Sequence, residues 1–243
     1  MLINSVLAFI RELLPVFIML AIVLQLELKR GWQLVAKAVT LGLIAIFILS
    51  LLLARLTQWF DGNGLELLFI LLQLSTLTAL LLLLVSSRFK QHAVKLAIFA
   101  QVVLAGINLL LFALTVSSTE AAAEAVWLGA VLGLGIGCSI AVLLYQMLSE
   151  LARLSQLVSG LMIALIGARQ ISETVALLGQ MDWLTLEHKL WDSSAILAEQ
   201  TEVGVFFHAW FGYEATPDVI QACAWLVIFS LMLVIWFRRG AKS

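Results

Sequence analysis

Long apolar runs alternate with short polar breaks along almost the whole of this 243-residue chain. A helix that crosses a bilayer needs about 20 mostly apolar residues. Seven stretches meet that length: 5–27, 34–56, 65–86, 94–117, 126–148, 155–179 and 217–237. The breaks carry turn chemistry, as in Lys29-Arg30-Gly31, Asp61-Gly62-Asn63-Gly64, Ser86-Ser87-Arg88 and Ser117-Ser118-Thr119-Glu120. The pattern changes between Gly179 and Tyr213, which is polar and locally acidic yet holds the apolar patch Gly204-Val205-Phe206-Phe207. It predicts an extracytoplasmic loop over 180–216, with one short helix lying on the membrane or dipping into it. The predicted fold class is an all-α integral membrane protein of about seven transmembrane helices, forming a single membrane domain over 1–243.

Composition agrees with this pattern. Hydrophobic residues make up 63% of the chain and charged residues 12%, against about 25% charged in soluble domains. With a mean hydropathy of +1.10, lipid must be the solvent for most of the surface. The distribution of basic residues then sets the orientation. Lys29, Arg30, Lys37, Arg88, Lys90, Lys95, Arg153, Arg238, Arg239 and Lys242 all follow odd-numbered spans, while Arg55 and Lys189 fall on the other side. Because Lys and Arg stay on the cytoplasmic side, the N-terminus is expected outside and the C-terminus inside, in a bacterial inner (plasma) membrane. The opening residues lack a basic n-region and carry Arg11-Glu12 within the apolar run, so the first helix is expected to be retained.

The chain also shows self-similarity at an offset of about 90 residues. Leu41-Gly42-Leu43 in the second span matches Leu132-Gly133-Leu134 in the fifth, and Phe9 aligns near Phe99. Repeats of three spans each necessarily have opposite orientation, an arrangement in which transport sites form near the midplane between the copies. Charges inside the spans mark where such a site would lie. Arg11 and Glu12 sit in the first span, and Arg169 and Glu173 share one face of the sixth at i,i+4. A charge at the bilayer centre costs about 2.5–3.5 kcal/mol on insertion scales, so it normally faces the protein interior. These residues are read either as a polar site between the first and sixth spans or as structural ion pairs reaching the interface. Gln73, Gln101, Asn108, Gln146 and Gln170 are expected mostly to make interhelical hydrogen bonds. Gln101 stands opposite Arg11 in the repeat alignment. His208, beside the apolar patch, is read as a metal ligand or as a solvated side chain; His92 and His188 are expected to be solvated.

Other chemistry is not indicated. Cys138 and Cys223 lie in separate apolar runs with no Cys/His cluster, so neither a disulfide nor a zinc site is expected. No catalytic constellation, phosphate-binding glycine loop or nucleic-acid-binding basic patch is present, and the chain is not expected to be an enzyme.

Several segments resemble the oxidase-dependent iron permeases, the high-affinity ferric iron permeases of fungi and bacteria. They are Leu190-Trp191-Asp192-Ser193-Ser194-Ala195-Ile196-Leu197, Gly204, Gly212-Tyr213-Glu214-Ala215-Thr216-Pro217, Gly129-Ala130-Val131-Leu132-Gly133-Leu134 with Leu144-Tyr145, and Glu66 with Leu77-Thr78. The resemblance runs nearly end to end. It implies seven helices, N-out and C-in, as two inverted three-helix repeats plus a C-terminal helix. The family's functional mark is Arg-Glu-Gly-x-Glu in the first and fourth helices. Here the first copy reads Arg11-Glu12-Leu13-Leu14-Pro15 and the second reads Gln101-Val102-Val103-Leu104-Ala105, so one carboxylate of four remains. The resemblance implies iron as the transported ion and Glu12 and Glu66 as metal ligands, and Glu173, read from its charged place in the sixth span, joins them as a candidate metal ligand that relays the ion. Arg11, Arg169, Asp192 and His208 are assigned to the path or to its framework. A periplasmic iron oxidase, a cupredoxin-like protein or a paralogous permease subunit is the implied partner. The loss of the second motif motivates an alternative, a non-transporting subunit that anchors or partners a redox or transport complex.

Overall fold

The structure, a computed structural model, describes residues 2–25, 31–86, 88–116, 120–154 and 157–240. Of the basic residues used for orientation, Lys29, Arg30 and Lys242 lie outside these, as do Ser87 and the Ser117–Thr119 break.

In lipid every backbone N–H and C=O must be satisfied within the segment, which makes an apolar run of this length a helix. The described chain is mostly helical, with α1 (Leu2–Gln25), α2 (Gly31–Leu56), α3 (Gly64–Val85), α4 (Lys90–Val116), α5 (Glu120–Leu154), α6 (Leu157–Gln180), α7 (Glu202–Phe211) and α8 (Val219–Gly240). No strand occurs among the described residues, only an isolated bridge between Lys189 and Asp218. All helices except the ten-residue α7 are long and apolar enough to cross a membrane, giving seven candidate spans. At 35 residues α5 is the longest and continues well past the apolar run at both ends. Pro15 lies inside α1 without ending it. It has no N–H to offer, so the Arg11 carbonyl loses its helical partner.

α1 packs chiefly against α5, α2 against α4, α3 against both α4 and α6, and α6 against α8. Small residues set the closest approach. A Cβ placed on Gly129 would lie 2.5 Å from Ser5 Cβ, and one on Gly133 would lie 2.6 Å from Phe9 Cβ. With Gly137 facing Phe17, these glycines recur every four residues along the side of α5 that meets α1, the small-xxx-small pattern that lets membrane helices approach closely. The outward faces are apolar, as at Leu43, Phe47 and Leu51 on α2 and Val227, Val234 and Phe237 on α8. Cys138 and Cys223 are free and exposed among them.

The two halves of the bundle differ. Where α1 and α3 end and α4 begins, Leu14, Ile18, Ile22, Leu84, Ala97, Ile98, Leu148 and Ile163 pack into a continuous apolar core. The other half, where α1 begins and α4 and α6 end, is opened by a cavity.

Candidate functional site

The cavity has a volume of about 800 Å³. Its walls come from α1, α3, α4, α6 and α7 and from the segments flanking α7. From Asn4, Gln180 and Gln200 it runs inward to Pro15, Gln73, Gln101 and Arg169. Each of these last four sits within about two residues of the middle of its own helix. The floor is therefore at mid-membrane depth and polar, and the apolar core seals it from the far side.

Two charge systems project into this space. On α1, the Arg11 guanidinium donates through Nε to Glu12 Oε1 at 3.0 Å, and Asn108 Nδ2 of α4 donates to Glu12 Oε2 at 2.8 Å. The Arg11 side chain is 61% exposed and that of Glu12 17%. On α6, Arg169 is ion-paired with Glu173 one turn on, with side chains 7% and 16% exposed. Gln73 Nε2 of α3 donates to Glu173 Oε2 at 3.1 Å, and Thr174 Oγ1 donates to Gln73 Oε1 at 3.0 Å. Beside Gln101, Gln170 Nε2 donates to its Oε1 at 3.4 Å, which links α6 to α4. The expected interhelical bonds thus form at Gln73, Gln101, Asn108 and Gln170, whereas Gln146 is exposed on α5.

The wall at the cavity mouth comes from the segment expected to be a loop over 180–216. Its short helix α7 packs against α1 and α6. Thr201 caps its start by accepting the Gly204 N–H, and Gly212 ends it in the left-handed region at φ 73°. A Cβ on Gly212 would also come within 3.1 Å of Arg169 Cα, so glycine is required there for both conformation and space. His208 of α7 turns to the cavity. Its Nδ1 donates to the Tyr213 carbonyl at 3.0 Å, and Nε2 lies 3.7 Å from Glu173 Oε1. The flanking segments are zipped together by Ser193 N–H to Ala215 O, Leu190 N–H to Pro217 O and the Tyr213 hydroxyl to Leu197 O.

Glu12, Glu173, Arg11, Arg169 and His208 are therefore brought to one cavity. Glu66 and Asp192 do not line it. Glu66 is in the first turn of α3, with one carboxylate oxygen buried and unpartnered. Asp192 is exposed and accepts the Ser194 hydroxyl and backbone N–H, which hold its carboxyl below the usual range. Two lining carboxylates were not singled out from the sequence. Glu199 accepts the Ala215 N–H at 2.7 Å, and Glu214 accepts from Gln221. Neither lies in a periodic apolar run, and only the Gly212–Pro217 segment hinted at Glu214. Among the described residues, no three His, Cys, Asp or Glu side chains are grouped to hold a metal ion.

Burial pushes the Glu214 carboxyl above its ordinary value of 4.5, despite the Gln221 hydrogen bond. Between the ordinary and raised values, the folded protein keeps a proton that the unfolded chain has released, so stability falls as pH rises through that window. Glu214→Gln keeps an acceptor for Gln221 and removes this titration. Melting curves from about pH 4 to 8 should therefore fall less steeply for the variant than for the wild type.

Compared with known protein families, with proteins of described function and with solved structures, the chain gives no match.

Proposed function

We propose that this protein is an inner-membrane carrier that moves iron through the cavity between α1, α3, α4 and α6. The observation that carries the reading is the depth of that cavity. It is open at one end, sealed by apolar packing at the other, and lined at mid-membrane depth by charged and amide side chains, as expected of one state of an alternating-access carrier. Iron as the cargo rests on the resemblance of the sequence to the iron permeases.

An inverted repeat of α1–α3 and α4–α6 is supported by reciprocal packing. α1 lies on α5 as α4 lies on α2. The matched glycines Gly42 of α2 and Gly133 of α5 each abut the partner helix, Gly42 at Val102 and the Phe99 carbonyl of α4 and Gly133 at Phe9 of α1, and Phe9 and Phe99 correspond at the repeat offset. The symmetry is broken where α3 and α4 pack broadly while α1 and α6 barely meet, with α7 against both. That gap is where the cavity lies. With the N-terminus outside, the cavity faces the outside and α7 is its lid.

In cells, Glu12→Ala should lower uptake of radioactive iron at least about tenfold, since removing one charged hydrogen-bond acceptor is worth about 1.5–3 kcal/mol. Equal uptake in the two strains would remove Glu12 from the path. For orientation, Cys138 and Cys223 are first replaced by alanine. Asn63→Cys should then react with a membrane-impermeant maleimide added outside, and Phe89→Cys should react only after lysis. The reverse result would invert the topology.

One observation favours the second reading, a non-transporting subunit. Both membrane carboxylates of the cavity are already matched by arginines. Such a subunit would present the zipped outer segment to a periplasmic oxidase, a cupredoxin-like protein or a paralogous permease. It would copurify with that partner in mild detergent and give no iron uptake of its own.

A further inference from the structure

We propose that the cavity takes its metal as a complex with small carboxylate ligands and not as a bare ion. This rests on the transport reading above and specifies the form of the cargo.

The donor set is the first argument. A hard trivalent cation needs several oxygen ligands and charge compensation. Glu12 and Glu173 are the carboxylates in the membrane part of the cavity, and each is engaged by its own arginine and by a side-chain amide. No grouping of three ligand side chains occurs among the described residues. A bare ion would have to displace two guanidinium groups and would still be short of oxygens. A polycarboxylate brings those oxygens with it and offsets the ion's charge before it leaves water.

The second argument is what the cavity offers in place of ligands. The Arg11 side chain stays mostly exposed while paired to Glu12. Arg169 is only 6% exposed, yet its Nε–H is buried with no acceptor. A buried guanidinium N–H without a partner is costly, and a carboxylate is its best-matched acceptor. Arginines on α1 and α6 thus line one cavity with donor capacity to spare.

Size is the third. A volume of about 800 Å³ falls in the range of small-molecule pockets, about 300–1,000 Å³, far above what a single ion fills. At the mouth, Glu199 accepts the Ala215 N–H and Glu214 accepts from Gln221, so both carboxylates are engaged by the protein itself.

The test is equilibrium dialysis of the purified full-length protein in detergent against four probes: ferric citrate, gallium citrate as a redox-inert substitute, citrate alone, and ferrous ion without carboxylate. Ferric and gallium citrate should bind, with citrate alone at least tenfold weaker and ferrous ion not retained. Arg11→Gln, at an exposed position, should weaken binding of both complexes about tenfold with an unchanged melting temperature, and Arg11→Lys should recover part of it. Arg169→Gln should weaken binding further, and a melting curve reports whether it is folded. Retention of ferrous ion without citrate, or complex binding that ignores Arg11, would overturn the inference and leave the transport reading standing. If neither the complexes nor the ion bind, both are overturned. If citrate alone binds as well as its complexes, the metal has no part in recognition and the inference fails.

Discussion

Glu173→Ala is expected to destabilise the detergent-solubilised protein by about 3–5 kcal/mol, lowering its melting temperature by roughly 6–20 °C, and to abolish iron uptake. Arg169 is buried at mid-membrane depth, and Glu173 is its ion-pair partner. Removing the carboxylate leaves a buried guanidinium without the counter-charge that holds it. The same change frees Gln73, which spends its amide N–H on Glu173 and its carbonyl on Thr174, so the joint between α3 and α6 loosens as well. The double variant Arg169→Met with Glu173→Leu separates the two consequences. It removes both charges and keeps the volume, so most of the stability should return. Uptake should remain lost, because neither side chain can hydrogen-bond a passing solute. Recovery of uptake along with stability would make the pair a purely structural feature.

Gly133→Leu should be nearly as damaging, by about 3 kcal/mol or more, although no charge is involved. The position lies between α5 and α1, where even a Cβ would approach Phe9 Cβ to 2.6 Å. A leucine would wedge the two helices apart and move the α1 wall of the cavity, Glu12 included. The control is two residues away. Gly135 lies on the opposite side of α5, with nothing within 4 Å of a built Cβ, and Gly135→Leu should be tolerated. Yield of monodisperse protein and its melting temperature measure both. If the two variants behave alike, α1 does not pack on α5 through these glycines.

These two sites differ in how far they could be read from the sequence. Arg169 and Glu173 were legible because ionised groups in an apolar run are rare and their spacing puts them on one face. Glu12 was legible for the same reason. Glu199 and Glu214 were not, because in a polar connecting segment an acid carries no signal against its background. Glu66 and Asp192 illustrate the converse. Their family resemblance was visible, but a resemblance does not reveal whether a side chain turns toward a cavity, and neither of these lines it.

The chain by itself determined the seven spans, because the bilayer demands a fixed length of apolar residues and an internally bonded backbone, and both are local properties. It also determined which charges must be sheltered, because burying them in lipid costs too much. Only the tertiary structure decided what shelters them. The pairing of α1 with α5 and of α2 with α4, the docking of α7 against α1 and α6, and the partners Gln73 and Asn108 all join residues far apart in the chain. Those contacts depend on how helix surfaces fit, and leucine-rich helices that look alike in sequence differ in that fit by single glycines.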